Sequence, residues 1–250
     1  MDGVNLRDST DVQPLSLAAP NGRFLANESE QFDFLGAEYK LTEALELRYF
    51  HARLRDVYRQ DFYGLNHQFA LGPGVLKTDL RIFDSREDGQ AMAGQVDNTN
   101  YGAYLSYKLA AHTFSAGYMV QNGATAMPYI AGGEPSVLSD GAMSADFVNP
   151  KERTWVARYD FDFAPLGVPG LTAMLRYMRG THIELPRLGG SDLTESSKDL
   201  ELAYVVQTGP LRGLAFRARE AFYRSDLLPA ATFRSDNETR INIDYTWVIR

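Results

Sequence analysis

Apolar and polar residues alternate along most of this chain. In NYGAYLSYKL, Tyr101, Ala103, Leu105, Tyr107 and Leu109 share one phase, while Asn100, Gly102, Ser106 and Lys108 share the other. In TWVARYDFDF, Trp155, Ala157, Tyr159, Phe161 and Phe163 oppose Thr154, Arg158, Asp160 and Asp162. In TRINIDYTWVI, Ile241, Ile243, Tyr245, Trp247 and Ile249 oppose Arg240, Asn242, Asp244 and Thr246. Successive side chains of a strand point to opposite faces, so each run reads as a strand with one apolar and one polar face. Helical periodicity is nearly absent. Twelve runs qualify: 3–9, 31–40, 45–54, 58–70, 75–85, 99–110, 113–122, 153–163, 171–181, 197–208, 214–225 and 239–250.

The breaks between runs come in two sizes. Tight ones are KLTEAL (40–45), LGPGV (71–75), LAAHT (109–113), APLGVPG (164–170) and TGPLRG (208–213). Long polar ones cover 10–30, 86–98, 123–152, 182–196 and 226–238, and apart from a short connection near Arg55–Val57 the two kinds take turns. Such a chain predicts an antiparallel up-and-down meander with one smooth rim and one ragged rim.

Alternation leaves open which face is inside. A soluble sandwich or barrel buries the apolar face, whereas a transmembrane barrel turns it to lipid and lines an aqueous lumen with the polar face. Three features favour the membrane. The runs approach the 9–11 residues that cross a bilayer obliquely, beyond the 5–6 of an ordinary strand. Tyr39, Trp155, Phe161, Phe163 and Trp247 stand at strand ends, read here as lying beside tight turns, as in an aromatic girdle. The segregation of loop lengths matches short periplasmic turns and long outer loops.

The membrane reading then orients the charges. In GLAFRAREAFYRS (213–225), Leu214, Phe216 and Ala218 oppose Ala215, Arg217, Arg219 and Ala221. A lipid-facing Arg near the midplane costs about 2–4 kcal/mol, so Arg217 and Arg219 are expected in the lumen. Arg158, Arg176 and Arg240, with Arg48 and Arg81, fall in the polar phase of their own strands, as do Glu46, Asp79, Asp160, Asp162, Asp199, Glu201 and Asp244. Two readings stay open: a salt-bridged wall that only solvates the interior, or a positive track for carboxylates with acids beside it to hold an ammonium group.

Composition narrows the alternatives. The chain has 250 residues and no run of 18 apolar ones, which excludes a transmembrane helix but not a barrel. Without cysteine there is neither disulfide nor thiolate metal site. A net charge of −7 argues against nucleic acid as a partner. His51, His67, His112 and His182 lack metal-ligand spacing, and no nucleophile elbow, P-loop or dinucleotide fingerprint occurs, so neither an enzyme nor a cofactor is expected. MDGVNLRDSTDVQ has no positive n-region followed by an apolar stretch, so no signal peptide is expected in the chain as given.

The segments NPKERTWVARYDFDFAPLGVPGLTAMLRYMRGT (149–181), ELAYVVQTGPLRGLAFRAREAFYRS (201–225) and NETRINIDY (237–245) resemble the C-terminal part of OprD-family outer-membrane porins. LRDST (6–10), FHARLRDVYRQDFYGLNHQF (50–69) and FVNP (147–150) resemble the same family, so the likeness covers essentially the whole chain. It implies a passive channel in the bacterial outer membrane, embedded in its lipid, taking up small carboxylate-bearing solutes such as basic amino acids or organic acids. It also implies an arginine ladder along one wall: Arg217 and Arg219 match the family's R-x-R pair and Arg240 an arginine on the last strand. Arg158 and Arg176 agree in phase, with Asp160, Asp199, Glu201 and Asp244 as acidic partners in the lumen. A monomer or weak trimer is implied. The family's barrel has eighteen strands behind a signal peptide, so residues 1–250 read as one porin domain truncated at its N-terminus, with about twelve strands. Closure would need 3–9 to pair with the last strand. An incomplete barrel without transport of its own is the alternative, followed by a soluble β-barrel binding module. The long segment 123–152 is expected either to fold inward and narrow the pore or to shield the outer rim.

Overall fold

A computed structural model describes residues 24, 29–130, 138, 142, 143, 145–185, 190–227 and 235–246. Among them lie eleven strands: β1 (Phe32–Thr42), β2 (Leu45–Leu54), β3 (Tyr58–Leu71), β4 (Gly74–Glu87), β5 (Asp97–Leu109), β6 (His112–Gly123), β7 (Arg153–Asp162), β8 (Leu171–Leu185), β9 (Gly190–Val205), β10 (Ala215–Ser225) and β11 (Asp236–Asp244). The expected strand at 3–9 lies outside the described residues, as do Trp247 and Ile249.

All eleven form one sheet in sequence order, each antiparallel to the next. Where a tight turn joins two strands it leaves them no other partner on that side. Leu71 pairs with Gly74 across Gly72–Pro73, and Gly72 takes φ +57°, the positive φ that a two-residue hairpin requires. At the β1–β2 turn the Thr42 hydroxyl accepts from the amides of Ala44 and Leu45 at 3.1 and 3.0 Å. Between β7 and β8 a 3₁₀ turn over Ala164–Leu166 ends at Gly167, φ +84°. Within the described residues β1 and β11 are the two edges, so the sheet is open.

Burial is inverted relative to a soluble protein. On β9, Leu200, Leu202 and Tyr204 are 43%, 52% and 37% exposed, whereas Glu195, Ser197 and Asp199 are 2%, 1% and 2% exposed. Phe34, Tyr63, Leu105, Tyr118, Phe114, Leu175 and Phe216 repeat the pattern on other strands, with exposures from 41% to 71%. Leaving such side chains in water forfeits about 1.5–3 kcal/mol each, so the apolar face belongs against lipid. Trp155 departs from expectation: it stands two residues inside the long-loop end of β7, not beside a tight turn. Trp155 and its register partner Tyr118 therefore belong to the outer interface, while Tyr39, Phe161 and Phe163 lie at the tight-turn rim.

Two boundaries also differ. β8 runs on to Leu185 and β9 begins at Gly190, so most of the expected 182–196 loop is a strand pair rising above the membrane section. GSDLTESS carries no apolar phase because neither of its faces meets lipid there.

Candidate functional site

The registers stack the polar-phase residues of successive strands into rows. One row runs Ser115, Arg158, Arg176, Asp199, Ala221 and Glu238 across β6 to β11. The next, toward the tight turns, runs Thr113, Asp160, Met174, Glu201, Arg219 and Arg240. Below it come Asp162, Thr172, Ala203, Arg217 and Asn242. The five expected arginines and three of the four acids thus share one patch of the inner face. Asp244 pairs with Ala215 at the far end of β11, one row farther on.

The arginines differ in what they can offer. Arg176 is buried, and its Nη2 and Nε donate to Asp199 at 2.6 and 3.0 Å. The guanidinium of Arg158 chelates Asp160 two residues away, Nη2 to Oδ1 at 2.7 Å. Glu201 serves two cations: Arg219 donates to it at 2.6 Å, while Arg217 Nε stays 3.7 Å off. Arg217 keeps 44% of its side chain exposed, against 23% for Arg219 and 3% for Arg176. Arg240 is held by Glu238 two residues earlier and reaches a backbone carbonyl, Met143 O, at 3.1 Å. A second charged cluster lies across β2 to β4, where Arg48 and Arg81 converge on Asp79 at 3.5 and 2.7 Å.

Met143 belongs to the long segment between β6 and β7, which settles its direction. Leu138 and Phe147 from this segment are buried against Met119, Val156 and Met178, all in the inward phase of β6 to β8. Met127, Tyr129 and Val148 pack together with inward-facing Phe83 of β4, and Gln60 of β3 donates to Pro128 O at 3.1 Å. The described residues of the segment thus lie against the inner face, from β3 on one side to β11 on the other. Phe147 adopts φ +56°, which costs a bulky residue about 1–3 kcal/mol and persists only where surrounding contacts impose it. Gly117 makes room, since a Cβ there would lie 2.4 Å from Leu138 Cδ2.

At the root of this segment Asn149 and Glu152 are fully buried. Glu152 accepts from the Asn149 amide at 2.9 Å and from Thr154 Oγ1 at 3.0 Å, while Asn149 Nδ2 donates to Glu195 at 2.8 Å. Tyr223 OH closes the group on Glu195. Burial pushes the Glu152 carboxyl well above the usual range, and the neighbouring Glu195 charge adds to the shift.

This inner apolar seam escaped the alternation reading. Its signal was present as exceptions: Tyr104 and Val156 are apolar residues in the polar phase of their strands, and both sit under the segment.

Relatives agree with this architecture. The model of the outer membrane porin, OprD family, matches residues 1–249. Porin D of Pseudomonas aeruginosa is 33% identical, over 89% of this chain and 54% of its own length. Porin-like protein GalP of Pseudomonas putida is 31% identical, over 96% of this chain and 55% of its own. The chain thus spans about half the length of these curated relatives. The crystal structure of OccAB2 from Acinetobacter baumannii superposes with a TM-score of 0.86 at 42% identity, covering 98% of this chain and 62% of that one. An all-β meander with lipid-facing apolar residues, a charged inner wall and this match over nearly its full length place the chain in the OprD family of outer-membrane porins.

Proposed function

We propose that this chain forms the selective wall of a passive outer-membrane channel for small carboxylate-bearing solutes, with basic amino acids among them. The observation that carries this is Arg217, an inward-phase guanidinium with 44% of its side chain exposed, beside a carboxylate already engaged by Arg219. Guanidinium groups bind carboxylates in a two-pronged geometry that a neutral solute cannot use. Arg217, Arg219 and Arg240 then draw the carboxylate, while Arg158 and Arg176, tied to Asp160 and Asp199, fix the wall behind them. Asp244, at the tight-turn end of β11, gives an ammonium group a place to rest, while Glu201 holds Arg219 in position. Residues 1–250 act as one porin domain in this reading.

The inward segment supports the reading from a second side. Its Met143 O accepts from Arg240, so in this reading the described part of the segment narrows the path on the side of the arginine wall. The test is uptake by proteoliposomes. Lysine and small organic acids should enter faster than a neutral sugar of similar size, and Arg217→Ala with Arg219→Ala should remove that preference. Equal entry of all three by the unaltered protein would contradict carboxylate selection.

The open edges at β1 and β11 favour a second reading, in which this wall conducts only when further strands complete it. Proteoliposomes that admit no solute at all, although the protein is folded, would support that reading.

A further inference from the structure

The outer surface, as distinct from the lumen, carries an unneutralised basic patch near the long-loop rim. Arg153 of β7, Arg179 of β8, Lys198 of β9 and Arg224 of β10 are all exposed. Their phase is that of Trp155, Tyr177 and Phe222, the lipid-facing phase. Ser196 stands directly between Arg179 and Arg224, and Lys198 is the next outward residue on the same strand, opposite Tyr177 and Phe222. Arg179 and Arg224 thus flank the small side chain of Ser196, Lys198 lies diagonal to both at about 7–8 Å, and Arg153 lies diagonal to Arg179 on the next strand.

None of the four makes an ion pair among the described residues. Arg224 donates only to neutral acceptors: Tyr223 O at 2.7 Å, Asp236 O at 3.1 Å and Asn237 Oδ1 at 2.8 Å. The acids that flank Phe222 and Arg224 along the chain, Glu220 and Asp226, bond to neutral donors and form no ion pair with the four among the described residues. Asp226 accepts from the Thr194 amide at 2.5 Å, and Glu220 accepts from Thr239 Oγ1 at 2.8 Å. The contrast with the rest of the rim is direct. On β2 to β4 two of the three outward arginines are matched, Arg53 with Asp88 at 2.9 Å and Arg86 with Asp84 at 2.9 Å and Asp97 at 3.3 Å, while Arg59 between them stands alone and not in a group of four.

Four like charges at the edge of a lipid-facing surface repel one another and need an anion. The geometry points to a binding site for the phosphate groups of an outer-leaflet glycolipid at Arg153, Arg179, Lys198 and Arg224. Trp155 and Tyr177, edge to face with centroids 5.1 Å apart, mark the interface beside it, where aromatic rings meet acyl chains below the headgroups. Basic side chains gathered at that depth attract anionic headgroups, and their apolar stems rest on neighbouring rings. A lipid, and not free phosphate, fits because the patch is continuous with the aromatic and aliphatic face beneath it. The inference rests on the membrane-embedded fold and is independent of conduction.

The test takes the full 250-residue chain, refolded in detergent, and measures retained lipid by native mass spectrometry. Bisphosphorylated lipid A should be retained at least about tenfold better than its dephosphorylated form, and increasingly less well as salt rises. Arg179→Gln with Lys198→Gln should weaken retention roughly thirtyfold, while Arg86→Gln changes it by less than about twofold. Equal retention of the two lipids, a salt-independent signal or an equal loss in Arg86→Gln would overturn the proposal. So would displacement by inorganic phosphate at concentrations comparable to the lipid. Channel currents recorded on the same variants separate this site from the lumen, since lipid-site variants should conduct unchanged.

Discussion

Arg176 is enclosed with Asp199, whereas Arg217 stands in the open beside a carboxylate that Arg219 already holds. The same residue type in the same phase thus does different work, and burial decides which. Arg176→Ala leaves Asp199 buried without its cation, so unfolding by urea in detergent should show a loss of about 3–5 kcal/mol. Arg217→Ala should change stability by no more than about 0.5 kcal/mol. Equal losses would mean that the exposed arginine is structural too. Glu152 gives a pH dependence. Its folded-state affinity for a proton lies above that of the free carboxyl, whose usual value is 4.5, so the folded form holds the proton longer. The stabilising effect of the protonated group is complete below the unfolded value and fades as pH rises through the folded one. Protection from hydrogen exchange around Asn149, taken relative to the intrinsic rate at each pH, should therefore be greater at pH 5 than at pH 8, and Glu152→Gln should remove that difference in protection.

For the strands, alternation was enough. The runs 45–54 and 153–163 coincide with β2 and β7 to within a residue because lipid on one face and polar lumen on the other impose a strict period of two. Where lipid ends the period ends with it, which is why GSDLTESS hid the first half of β9. The segment between β6 and β7 was ambiguous for a related reason. Its partners are scattered inward-phase residues, Met119, Val156 and Met178, whose apolar character reads locally as noise. Two substitutions test its seat. Phe147→Ala empties a fully buried position and should cost about 3–5 kcal/mol in the seam. Gly117→Ala drives a methyl into Leu138 and should loosen the segment at a cost of about 1–3 kcal/mol. Both variants should pass more current than the unaltered protein, with proteolysis of the segment accelerated. Unchanged current with a loosened segment would mean that it does not narrow the path.

At the scale of the described molecule, the arginine rows and the described part of the β6–β7 segment meet on the inner side of a sheet that is eleven-stranded and open among the described residues. That Arg158, Arg176, Arg217, Arg219 and Arg240 share one face of the sheet was legible from the phase of their strands. Which of them stays accessible was not, because that depends on cross-strand partners such as Glu201, fixed only by register. The most direct test of the arginine wall is a single-channel recording of the refolded chain in a planar bilayer, beside Arg217→Ala with Arg219→Ala. The account predicts discrete conductance steps, with anion preference reduced at least about fivefold in the double variant, since the loss of even one unit charge at about 4 Å in water is worth that much. Steps whose ion preference is the same in both proteins would contradict it.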